Sequence, residues 1–174
     1  MTTGIGWRGR RWSRRVGSVT VVALLFAAGA AVTPVPAFTA TDLTSGTRAV
    51  CRPAGADARL TLAFTHSMYG GRVFEEYAAT RSGDLRRMSV TTEHPAAAEY
   101  YAYYGATIRD GTRFRVVVPV EEIAQVVVRV DRVGDQRLTL GGEEVDLLAA
   151  AGAGHQVRLA VEPVALGRRL LGSC

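Results

Sequence analysis

The chain contains no lysine: all 21 of its basic residues are arginine. Such one-sided usage reflects GC-rich coding, which argues for a bacterial source and carries no functional message. Cysteine is nearly absent as well, with Cys51 and Cys174 alone. The three histidines, His66, His94 and His155, have no ligand-like spacing, and nothing resembles a zinc or calcium motif, so no metal and no cofactor is expected. There is no internal repeat and no low-complexity tract. Beyond the N-terminal region, no apolar run is long enough to cross a bilayer.

A basic excess is also missing where a nucleic-acid partner would need it. The formal charge is +5, but Arg8, Arg10, Arg11, Arg14 and Arg15 all precede Ala37, leaving 16 Arg against 16 Asp plus Glu in the rest. A formally neutral body offers no electrostatic footprint for a phosphate backbone, and nucleic acid is excluded as a partner.

Those five arginines have a different meaning. They precede the uncharged run Val16 to Val32, which leads into Thr33-Pro34-Val35-Pro36-Ala37. This is the order of a signal segment: positive start, apolar middle, small-residue cleavage site. Residues 1–37 are therefore expected to form an export signal with an apolar helix, cut after Ala37. Left uncut, the segment would anchor the chain at the outer face of the cytoplasmic membrane, its only expected membrane contact. Ser13-Arg14-Arg15 is a weak twin-arginine feature, because Gly17 stands where an apolar residue is expected.

About 137 residues follow, enough for one core. Residues 38–58 carry scattered Thr, Ser, Pro and Gly and are expected to be a lead-in. Residues 59–164 then show short alternating segments between turn residues, the pattern of an all-β, single-domain antiparallel sandwich or partly open barrel. Residues 165–174 make a C-terminal tail. In Arg59 to His66, Leu60, Leu62 and Phe64 fall on one face. Further strands are expected at Arg72 to Ala79, through Met88 and Val90, and at Thr112 to Val118, Ile123 to Val130, Gln136 to Leu140, Glu143 to Leu147 and Gln156 to Val161. One stretch breaks the β texture: His94 to Gly105 has Pro near its start, alanines inside and Gly past its end, so one short helix is expected there. Cys51 and Cys174, near the two ends of the exported domain, are a disulfide candidate in an oxidising compartment. If joined, they would close a loop worth about 4 to 5 kcal/mol in the chain-entropy model.

The candidate site begins with His66-Ser67 and Glu75-Glu76-Tyr77, on either side of Gly70-Gly71. A two-residue turn at the glycines would place His66 opposite Glu75 and Phe64 opposite Tyr77. An imidazole beside a carboxylate suits a polar clasp for a solute or partner strand, a metal site, a hydrolase, or a hydrogen bond that merely fixes the hairpin. The hydrolase reading meets an obstacle, since adjacent strand residues point to opposite faces and His66 would not reach Ser67. Four tyrosines fall within Tyr100 to Tyr104, and Tyr100, Tyr101 and Tyr104 are expected either to line a cleft or to pack a helix onto the sheet.

Thr61-Leu62-Ala63-Phe64-Thr65-His66-Ser67, Val73-Phe74-Glu75-Glu76-Tyr77 and Asp135-Gln136-Arg137-Leu138-Thr139-Leu140 resemble the bacterial family called domain of unknown function 1850 (DUF1850). The resemblance runs from about Arg59 to Val164. It implies a small exported or membrane-anchored protein whose gene accompanies transporters of the tripartite ATP-independent periplasmic (TRAP) type, with emphasis on His66, Ser67, Glu75 and Tyr77. The chain departs from the family at Gly70-Gly71-Arg72, where Lys-Thr-Pro is usual, and in its Tyr-rich stretch. The combined expectation is a non-enzymatic envelope accessory that binds a solute or transporter component. The alternatives are a hydrolase or metal-dependent enzyme centred on His66 and Glu75, and a purely structural envelope domain.

Overall fold

A computed structural model describes residues 33–55, 58–102 and 106–166. Most of the signal segment, Tyr104, Cys174 and nearly all of the tail lie outside them. Among the described residues, twelve strands form two antiparallel sheets. The smaller runs β2 (Arg48–Pro53), β1 (Pro34–Asp42), β12 (Gln156–Ala165), β9 (Gln125–Arg129). The larger runs β11 (Glu143–Asp146), β10 (Arg137–Leu140), β3 (Arg59–Thr65), β4 (Arg72–Ala79), β5 (Leu85–Thr92), β7 (Arg113–Val116), β6 (Thr107–Asp110), with β8 (Glu122–Ile123) also on β5. Both sheets keep free edges, so the fold is an open sandwich and not a closed barrel.

Cross-strand partners share a face, which shows where the core must lie. Leu60, Leu62 and Phe64 of β3 stand opposite Tyr77, Glu75 and Val73 of β4, while Leu138 and Leu140 of β10 stand opposite Leu62 and Leu60. Against this face the smaller sheet sets Phe38, Ala40, Val50, Val128, Val157, Leu159 and Val161, closing the main core. Each fully buried Leu or Val contributes about 1.5 to 3 kcal/mol. Farther along the same face, Val73, Val90 and Val116 form a second cluster with Ala98 of helix α1 (Pro95–Tyr100).

Three sequence expectations are corrected. Residues 38–58 are not a lead-in: they hold most of β1 and all of β2, and β1 lies between β2 and β12 inside the smaller sheet. A cut after Ala37 would sever β1 between two buried residues, Ala37 and Phe38, and detach four positions paired with β12. Among the described residues the one short helix expected is joined by a second, because the strand predicted to reach Leu147 stops at Asp146. There the Asp146 side chain accepts the Ala149 N–H, and α2 (Leu147–Ala151) begins. The segment Ile123 to Val130 is also not one strand. It leaves β5 after Ile123 and joins β12 from Gln125, passing from one sheet to the other.

Candidate functional site

The β3–β4 connection is longer than a two-residue turn. Thr65 pairs with Arg72, so residues 66–71 form the loop and Glu75 lies opposite Leu62, not His66. Leu62 lies four residues before His66, so the imidazole and the carboxylate are not opposed. The reason lies in His66 itself. Its Nδ1 accepts the N–H groups of Met68 (3.2 Å) and Tyr69 (3.3 Å), while its carbonyl accepts from Gly70 and its N–H donates to Gly71. Gly70 and Gly71 both take positive φ, 65° and 72°, which lets the wider loop close. Accepting at Nδ1 assigns the neutral tautomer with the proton on Nε2, leaving Nε2–H as the ring's donor.

Helix α1 closes over the same end. His94 caps it by accepting the Ala96 N–H at Nδ1, and Pro95 starts it with a fixed φ and no amide hydrogen to satisfy. The helix brings Tyr100 and Tyr101 edge-on to His66, with ring centroids 5.3 and 5.9 Å away. On the other side Tyr69 lies 5.0 Å from His66 and stacks on His94 at 6.1 Å. Two histidines and three tyrosines thus form a continuous aromatic array.

Beside this array opens a cleft of about 280 Å³, walled by Phe64, His66, Met68, Tyr100 and Tyr101 and floored by the β9–β10 connection. That floor is firmly held. Asp131 Oδ1 accepts from Val133 N (2.8 Å) and Gly134 N (2.6 Å), Gln136 bonds Asp131 N and Arg129 O, and Thr65 N donates to Gly134 O at 2.6 Å. A Cβ at Gly134 would come within 2.1 Å of Gln136 Nε2, so a larger residue there would displace the Gln136 amide. Ser67 also lines the cleft, but no hydrogen bond joins its hydroxyl to His66 among the described residues.

Glu75 and Tyr77 are placed elsewhere. Tyr77 is fully buried in the main core, and its hydroxyl donates to Glu75 Oε2 at 2.5 Å. The Arg87 guanidinium lies 6.0 Å from the Tyr77 ring centroid and 3.7 Å from Glu121. Burial first, then the Glu75 carboxylate, push the Tyr77 phenol well above its ordinary range. It therefore stays protonated and donating, a polar lock where the main core meets the second cluster. The structure brings His66 and Ser67 together with Tyr100 and Tyr101, and keeps Glu75 and Tyr77 outside that cleft.

Sequence reasoning missed Met68, His94, Asp131, Gly134 and Gln136. Asp131 and Gly134 carried a usable signal, since an Asp three residues before a Gly between two strands often caps a turn. His155 has a role its spacing did not disclose. Its Nδ1 lies 2.9 Å from Asp42 Oδ2, which also accepts from Ser45 Oγ at 2.6 Å, tying the β1–β2 turn to the start of β12. The Ser45 hydrogen bond, followed by those from His155 and the Thr44 N–H, holds the Asp42 carboxyl well below the usual carboxylate range. Because Ser45 bonds the carboxylate and not the imidazole, this triad secures a turn and activates no nucleophile. Cys51 is disulfide-bonded. No family model, curated protein or solved structure matches the chain.

Proposed function

We propose that the chain is an exported, non-enzymatic binding module of the cell envelope that takes a small solute in the His66–Tyr100–Tyr101 cleft, in support of a TRAP-type transporter. The observation that carries this reading is the cleft. An aromatic wall, one oriented Nε2–H donor and a firmly held loop floor are the usual makings of a small-molecule site. The signal-like N-terminus supports the location, and the resemblance to domain of unknown function 1850 supports the link to transport. An enzyme centred on His66 and Glu75 loses its geometric basis, because those groups are not opposed.

Fractionation of cells carrying the tagged full-length gene tests the location. The protein should be reached by protease added outside the cytoplasmic membrane, with an N-terminus upstream of Pro34 if the signal is cut. Protection inside the cytoplasm would refute the reading. For binding, Tyr100→Ala is a cleaner variant than His66→Ala, because His66 also holds its own loop together. Solute capture that survives Tyr100→Ala undiminished would rule out this cleft as the site.

A further inference from the structure

The chemistry of the cleft narrows the class of solute, an inference that rests on the binding reading above. Although the chain has 21 arginines, none lines this cleft among the described residues, and the acidic side chain in its lining is Asp131. The neighbouring guanidinium of Arg72 is committed: its Nη1 lies 3.0 Å from Asp135 Oδ2 and 3.1 Å from Asp135 O, and also bonds Thr65 Oγ1. Among the described residues, a carboxylate solute would therefore find no cation of the cleft to meet it.

The donors and acceptors around Asp131 are arranged for the opposite charge. Its Oδ1 takes the two loop N–H groups, and its Oδ2 has no hydrogen-bond partner among the described residues. Lining the same cleft are the rings of Tyr100 and Tyr101, held perpendicular with centroids 5.3 Å apart. Tyr100 is 65% exposed and Met68 is 72% exposed, so an aromatic face and a polarisable thioether are both open to a ligand. Aromatic faces attract cations through the ring quadrupole, and a nearby carboxylate completes the charge. We infer that this cleft receives an organic cation, a small solute bearing an alkylated or primary ammonium group set between the Tyr100 and Tyr101 rings and Asp131.

Isothermal titration and saturation-transfer NMR on the full-length protein test this with three probes: choline, its uncharged carbon isostere 3,3-dimethylbutan-1-ol, and benzoate. The expected result is that choline binds at least about tenfold more tightly than the isostere, with benzoate weakest. Asp131→Asn keeps the Oδ1 acceptor of the turn while removing the charge. It should weaken choline about tenfold and leave the isostere unchanged, with the thermal midpoint preserved. Equal binding of choline and its isostere, or indifference of choline to Asp131→Asn, overturns the cation assignment while the cleft remains a binding site. Preferential binding of benzoate overturns it in favour of an anion. If none of the three probes perturbs the cleft residues, the cation assignment falls and the binding reading falls with it.

Discussion

Under β1, β2, β9 and β12, the inner face of the larger sheet meets a second sheet, and Leu60, Leu62, Leu138 and Leu159 are almost wholly removed from water. Under α1, the same face meets a six-residue helix among the described residues, and Val73, Val90 and Val116 are covered while the margin stays open as the cleft. Two sheets can match each other along several strands; a short helix cannot cover an equal area. The second half therefore trades apolar burial for loop hydrogen bonds and aromatic edges, and leaves room for a ligand at its margin. Glu75, Tyr77 and Arg87 lie near the junction and belong to the first half in their packing.

Substitutions should separate the halves. Leu138→Ala, in the sheet-covered half, should cost about 2 to 5 kcal/mol in urea unfolding, through lost transfer energy and an unfilled cavity. His66→Ala should cost less, about 1 to 3 kcal/mol, because two loop N–H groups lose their acceptor and a buried ring is removed. A cost as large as that of Leu138→Ala would make the aromatic array part of the main core and erase the distinction.

Acid should strike the sheet-covered half. The Asp42 carboxyl is held below its ordinary value of 3.8 in the folded state. Its contribution to stability is thus fully present above that value and is lost as pH falls below it toward the folded-state value. Asp42→Asn should flatten the decline in urea midpoint between about pH 5 and about pH 2. An unchanged acid limb would show that the clasp with Ser45 and His155 is energetically idle. Tyr100→Ala should have the smallest effect on stability, within about 0.5 kcal/mol, since its ring is mostly exposed. Its effect on solute binding should nevertheless be large.

The sequence disclosed the two halves unequally. Period-two patterning placed β3, β4 and β5 closely, because Leu60, Leu62 and Phe64 can face only one way if they are to leave water. It misread β1, taking Pro34 to Ala37 for the signal's cleavage site and Phe38 onward for a lead-in, although Ala37, Phe38 and Ala40 are buried. The helix start was legible from Pro95, but the approach of Tyr100 and Tyr101 to His66 was not, since the tyrosines were expected only to line a cleft or to pack a helix onto the sheet. The hairpin register was not legible. Gly70-Gly71 is the sign of a tight turn, but the His66 side chain competes for the loop's N–H groups and widens it to residues 66–71. Asp42 and His155 stand 113 residues apart, and local patterning carries no information on such a pair.

The most direct test of the division is backbone-amide NMR of the labelled protein during titration with choline. Shift changes confined to Phe64, His66, Ser67, Met68, Tyr100, Asp131 and Gln136, with Leu60, Tyr77 and Leu159 silent, are what the open cleft predicts. Silence at the cleft residues, or changes centred on Glu75 and Tyr77, would contradict it.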